Sequence, residues 1–150
     1  MKEFRAAVRL CIFNDNDELL IVRMWKYWAI PWWGIDYGES ISDCLCRESI
    51  EELWIKAFYD KVLFLQDYIW DVRWTEKHCL EYFCSVKNNS DFDWVESTYK
   101  NATHSDELKD VKFCSLSNLP LDFMPKWLDT VLQEYVDNKD NFSCKYISWF

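Results

Sequence analysis

Apolar clustering divides the chain into elements before any motif is considered. Residues 4–13 (FRAAVRLCIF) form an apolar run interrupted by Arg5 and Arg9, which predicts a strand. Asn14, Asp15, Asn16 and Asp17 follow as a turn cluster, and residues 18–24 (ELLIVRM) predict a second strand, so 4–24 reads as a hairpin. Residues 25–38 read as irregular, with Pro31 as a breaker. Ser40 with Asp43 three residues on is a helix start of the capping-box kind. Ile41, Leu45, Ser49 and Leu53 line one face of the helix that follows. Residues 57–72 and 77–87 predict two longer strands around a turn near Arg73–Glu76, and 88–108 read as a polar surface loop. A strand over 109–115, a turn opened by Ser117-Asn118-Leu119-Pro120 and a helix over 124–137 complete the pattern. This mixed order predicts one α/β domain over 1–137 with a helix on either side of a sheet, and a C-terminal tail, 138–150, that the pattern leaves unassigned.

Composition narrows the function classes. The net charge of −9 argues against a basic surface for a nucleic-acid polymer, yet leaves room for a small phosphate ligand whose field a bound metal could reverse. Seven cysteines without a zinc-like spacing are expected to be reduced thiols of a cytoplasmic protein. No segment has the apolar length of a signal peptide or a membrane span.

The chemistry concentrates on the helix opened by Ser40. Glu48 and Glu52 are spaced i, i+4 and emerge on one face, with Glu51 beside them. Three crowded carboxylates repel unless a cation lies between them, and Mg²⁺ or Mn²⁺ prefers such oxygen ligands. Arg47, four residues before Glu51, is placed to hold it by a charge-assisted hydrogen bond. The alternative is an ordinary solvated acidic face.

The surroundings of that helix resemble the Nudix box: glycine, five residues, Glu, seven residues, Arg-Glu, an apolar residue, any residue, Glu-Glu, any residue, glycine, an apolar residue. Glu39, Arg47, Glu48, Glu51, Glu52 and Ile55 match in register, and Pro31, Gly34 and Gly38 are also similar to Nudix hydrolases. The departures are Trp33 and Trp54 at the box glycines, Trp32 at the glycine that usually precedes the box, and Ser49 at an apolar position. The resemblance implies an α/β/α sandwich with a mixed β-sheet. It also implies Mg²⁺-dependent water attack on a nucleoside diphosphate linked to another moiety, such as ADP-ribose, a nucleotide sugar or a nucleoside triphosphate. By it, Glu48 and Glu52 are the main metal ligands, Glu51 a further ligand or bridge, and the backbone carbonyl near Trp32 another. The general base is a box glutamate, Glu51 or Glu52, or one from a later loop. Glu107 is the loop candidate, Glu81 a weaker one, and His104 reads as a solvated loop histidine. The partner is a small-molecule nucleotide, not a membrane or a nucleic-acid polymer, and a homodimer stays open. A catalytically weak Nudix-fold module that binds a nucleotide or a protein is the alternative.

Two glycines against ten tryptophans is an unusual balance for a chain with many turns. Position 54 ends the helix, where a left-handed cap favours glycine. Positions 32 and 33 lie where the resemblance brings backbone close to metal and phosphate. These positions are expected to be glycine in the source organism, encoded by UGA that is translated here as tryptophan, with Trp25, Trp70, Trp74 and Trp94 as further cases. The alternative is genuine tryptophan in a diverged family member with a distorted site. UGG codons at 32, 33 and 54 would sink the recoding idea.

Overall fold

The structure, a computed structural model, describes residues 1–149. The long apolar runs become strands β1 (Lys2–Cys11), β2 (Glu18–Arg23), β5 (Tyr59–Val72), β6 (Thr75–Val86) and β7 (Asp110–Ser115). The stretch expected to be irregular contains two short strands, β3 (Trp28–Ala29) and β4 (Trp32–Gly34). The helices are α1 (Ile41–Leu53), a single turn α2 (Val95–Thr98) and α3 (Leu128–Asp137). The tail left unassigned by the sequence adds β8 (Lys145–Trp149).

The strands form a five-stranded mixed sheet, β4-β1-β6-β5-β8, and a three-stranded antiparallel sheet, β3-β2-β7. β1 runs parallel to β6, and β8 parallel to β5. This corrects the expected 4–24 hairpin. The turn forms, but β1 and β2 diverge into different sheets after the bridge between Phe13 and Leu19. The reason is burial on two faces. On β2, Leu20 and Val22 pack with Leu45 and Leu53 of α1, whereas Leu19 and Ile21 pack with Leu128 and Leu132 of α3. A strand buried on both sides belongs between two helical layers, giving the α/β/α sandwich.

Residues 88–108 are not the simple surface loop that their polarity suggested. They fold into short helical turns that bury Phe92, Val95, Tyr99 and Leu108 beneath the α1 layer. Four scattered apolar residues carry too little periodicity to be seen among so many polar ones. All seven cysteines are free, and among the described residues no helix is long and apolar enough to cross a membrane.

Helix α1 begins and ends as its residues dictate. Ser40 Oγ accepts from the Asp43 N–H at 3.1 Å, and the Asp43 carboxylate bonds back to Ser40, completing the capping box. At the other end Trp54 takes φ 66°, ψ 14°, its N–H donates to the Ile50 carbonyl, and the Ile55 N–H donates to the Ser49 carbonyl. The Trp54–Ile50 bond and the left-handed residue are those of an αL helix ending. The tight β5–β6 turn puts a second tryptophan in the same region: Arg73 (φ 45°) and Trp74 (φ 76°) form a two-residue loop of the kind that favours glycine at its second position. Trp32 and Trp33 have no positive φ. The demand for glycine is thus conformational at 54 and 74, whereas at 32 and 33 it can only concern space.

Trp54→Gly is expected to raise stability by about 1 kcal/mol, because the left-handed conformation costs a bulky residue roughly 1–2 kcal/mol and the indole is mostly exposed. Chemical denaturation checks it, and a loss of stability would show that the exposed ring carries packing energy.

Candidate active site

The carboxylates predicted from the sequence do lie together on α1. Arg47, the one cation on this face of the helix, grips Glu39 with both arms of its guanidinium, Nε to Oε1 at 2.8 Å and Nη2 to Oε2 at 3.0 Å. Its third contact is Nη1 to Glu48 Oε1 at 2.7 Å. Glu51 stands at 3.7 Å, an ion-pair distance beyond hydrogen bonding. This revises the expected Arg47–Glu51 bond: Glu39 and the adjacent Glu48 take the planar fork first. Glu39 is held below the usual carboxylate range chiefly by that hydrogen bond from Arg47.

Glu51 is held from the other side. The peptide N–H of His104 donates to the Glu51 carbonyl at 2.7 Å, and His104 Nδ1 lies 3.3 Å from Glu51 Oε2. His104 is therefore tied to the helix rather than merely solvated, and this tether docks the turn Ser105–Glu107 against α1. It brings Glu107 close enough to Glu52 for the two carboxylates to repel. Glu81 is elsewhere: it is buried in β6, bonded by Arg9 and by the Tyr68 hydroxyl, and does not join the α1 cluster.

Glu52 has an unusual environment. It is only 8% exposed, and Trp33 Nε1 donates to its Oε2 at 2.8 Å. Burial is the main cause that raises its pKa to about 7, and the like charges of Glu48 and Glu107 push the same way, against the Trp33 hydrogen bond. The consequence for stability has a definite sign. Between the ordinary 4.5 and about 7, the folded chain holds a proton on Glu52 that the unfolded chain does not. The metal-free protein is therefore expected to lose stability as pH rises through that window, by on the order of 3 kcal/mol, and to level off above it. Melting in chelator from pH 4.5 to 8 checks this, and Glu52→Gln should flatten the slope.

The tryptophans expected to be out of place are accommodated here. Trp33 is buried in the core beneath α1. Trp32 lies beneath two guanidinium groups, Arg5 at 4.6 Å and Arg9 at 5.2 Å from its ring centre, and its Nε1 is buried without a partner among the described residues. Ser49, the departure at an apolar position, is fully buried and accepts from the Ala57 N–H at 2.9 Å, pinning the chain as it leaves the helix.

The NUDIX domain family model matches residues 3–135. The chain belongs to the Nudix family. Two curated relatives carry the name RNA pyrophosphohydrolase. That of Ruthia magnifica is 37% identical over 62 residues, 40% of this chain and 35% of the relative. That of Wolbachia pipientis is 33% identical over 55 residues, 35% of this chain and 34% of the relative. Each match thus spans about a third of the relative's length. Among solved structures, an ADP-ribose pyrophosphatase from Streptococcus suis superposes with a TM-score of 0.64 at 15% identity, covering 95% of this chain and 98% of that one. A MutT Nudix hydrolase from Burkholderia pseudomallei gives 0.61 at 17%, covering 87% and 96%. These structural likenesses show the Nudix fold.

The Nudix donor set suits a hard divalent cation in chemistry: Glu48, Glu51, Glu52 and the neighbouring Glu107 offer only oxygen. The present rotamers do not gather it. Among the described residues no three His, Cys, Asp or Glu side chains are grouped to enclose an ion; Arg47 engages Glu48, and Trp33 engages Glu52.

Proposed function

We propose that this Nudix chain is a divalent-metal-dependent pyrophosphohydrolase. Its substrate is a nucleoside diphosphate linked to another moiety, of the ADP-ribose, nucleotide-sugar or nucleoside-triphosphate class. The observation that carries the reading is the placement of Glu48, Glu51 and the buried Glu52 on neighbouring turns of α1, inside the segment that matches the NUDIX domain model. The names of the relatives point the same way: RNA pyrophosphohydrolase, ADP-ribose pyrophosphatase and UDP-X diphosphatase all describe cleavage of a pyrophosphate bond.

Glu48 and Glu52 would hold Mg²⁺ or Mn²⁺, with Glu51 and the backbone carbonyl of Trp32 as further ligands. The ion, when bound, would neutralise phosphate oxygens and acidify a water. The chain's own residues prepare the site. Arg47 orients Glu39 and Glu48, and His104 fixes Glu51. Glu107, on the turn docked by His104, or a box glutamate, Glu51 or Glu52, takes the proton of the attacking water at a carboxylate oxygen. A cytoplasmic location and a small-molecule substrate accord with the free thiols and the net charge of −9.

A second reading has its own observation. The Trp33–Glu52 hydrogen bond occupies a principal ligand oxygen, which suits a catalytically weak module that binds a nucleotide or a protein. Hydrolysis of ADP-ribose, a nucleotide sugar, ATP and a 5′-triphosphorylated RNA, with Mg²⁺ and with chelator, separates the two. Chelator-reversible cleavage of a small nucleotide is the expected result. Cleavage of RNA alone would overturn the small-molecule part, and no cleavage by the folded protein would favour the binding module.

A further inference from the structure

The five-stranded sheet has one face that its helical layer covers only in part. Val8 of β1 packs in the core beneath α1, and Tyr82, its register partner on β6, packs against that core. Strand register puts Phe4 of β1, Leu80 of β6, Leu65 and Ile69 of β5, and Tyr146 of β8 on the same side of the sheet. The α1 layer does not reach them. Leu65 and Leu80 are half-buried yet join neither of the two buried cores, and Phe4, Ile69 and Tyr146 are 63%, 41% and 62% exposed. Apolar side chains on four adjacent strands thus meet solvent together, a kind of surface that marks an interaction site.

The acids within the patch are already engaged. Lys2 Nζ lies 3.2 Å from Glu76 Oε1. Asp67 holds His78 Nε2 at 2.7 Å and accepts from the Tyr146 hydroxyl at 2.7 Å. The chain as a whole carries a net charge of −9, so acids dominate the rest of its surface. A basic partner would find its counter-charges there rather than here. A second acidic copy meets least repulsion where the acids have partners of their own.

We infer that this open sheet face docks a second copy of the chain, sheet against sheet. Two sheet faces pack about 10 Å apart with their side chains interleaved, and a copy supplies a face of matching shape. A two-fold axis lying in the face sets the Phe4 flank of one copy over the Tyr146 flank of the other, so the same apolar contact forms twice. Four strands about 4.8 Å apart, over about six residues rising roughly 3.3 Å each, give a flat footprint on the order of 400 Å² per copy. That is below the roughly 800 Å² per partner of a standard stable interface, so the dimer is reversible, with a dissociation constant on the order of 100 μM. None of the α1 carboxylates takes part, so the inference stands or falls separately from the hydrolase reading.

Sedimentation equilibrium of the full chain from about 5 μM to about 1 mM tests it. Monomer at the low end and mostly dimer at the high end are expected. Added salt should tighten the association, because it screens the repulsion between two chains of like charge. Phe4→Glu and Ile69→Glu each put two like charges into the apolar contact and should weaken association at least tenfold. Both side chains are exposed in the single copy, so melting at low concentration should be nearly unchanged. Leu121→Glu alters an apolar residue, 96% exposed, between β7 and α3 and should leave association as it was. A monomer at every concentration would overturn the inference and leave the face to a different partner. A dimer indifferent to Phe4→Glu and Ile69→Glu, or weakened as much by Leu121→Glu, would also overturn it.

Discussion

Glu52→Gln is expected to lower turnover at least a hundredfold while leaving the protein folded and, above pH 7, more stable. The two effects have one origin. Glu52 is a buried carboxylate whose charge is opposed by burial and by Glu48 and Glu107. A glutamine has the same shape, keeps an acceptor for Trp33 Nε1, and carries no charge to bury. The metal-free fold therefore gains what the ionised acid loses, up to about 3 kcal/mol. Catalysis loses a metal ligand and candidate base, a role whose removal typically costs 10²–10⁴-fold. Steady-state turnover and melting at pH 8 measure both. Turnover near that of the unsubstituted chain would remove Glu52 from the chemistry, and a fall in melting temperature would show that its charge is compensated in the fold.

Trp33→Gly is expected to strengthen Mg²⁺ binding and turnover at least tenfold, because it frees Glu52 Oε2 from the indole N–H. Its effect on stability bears on a different question. Trp33 is buried against the α1 core and has an ordinary backbone conformation, so deleting it as a genuine core side chain should cost about 3–5 kcal/mol. A cost well below that would mean that the surrounding chain is shaped for glycine, in line with UGA recoding. Metal affinity unchanged by the substitution would show that the indole does not compete with the ion.

The helix and its acids were legible because their signals are local. Ser40 and Asp43 specify the cap, and the spacing of Glu48, Glu51 and Glu52 alone puts them on one face. Position 54 was also legible, since an αL helix ending requires a left-handed residue whatever its neighbours are. The partition of β1 and β2 between two sheets was not, because local alternation cannot say which face meets which helix. The Arg9–Glu81–Tyr68 network was missed for a similar reason. Its members are separated by up to 72 residues along the chain and meet only through the parallel pairing of β1 with β6 and the register of β5 with β6. The docking of Glu107 beside Glu52 depends on a backbone bond from His104 that no spacing reveals. Single polar residues with one strong long-range partner leave no periodic trace.

The most direct test of a hydrolytic centre on α1 is Mg²⁺-dependent cleavage of the nucleotide panel by the Trp32→Gly, Trp33→Gly, Trp54→Gly chain, with and without Glu52→Gln, beside the unsubstituted protein. The expected result is chelator-sensitive hydrolysis by the glycine chain, weaker in the unsubstituted protein and reduced at least a hundredfold by Glu52→Gln. Folded proteins that show no metal-dependent cleavage, or a Glu52→Gln chain as active as its parent, would contradict it.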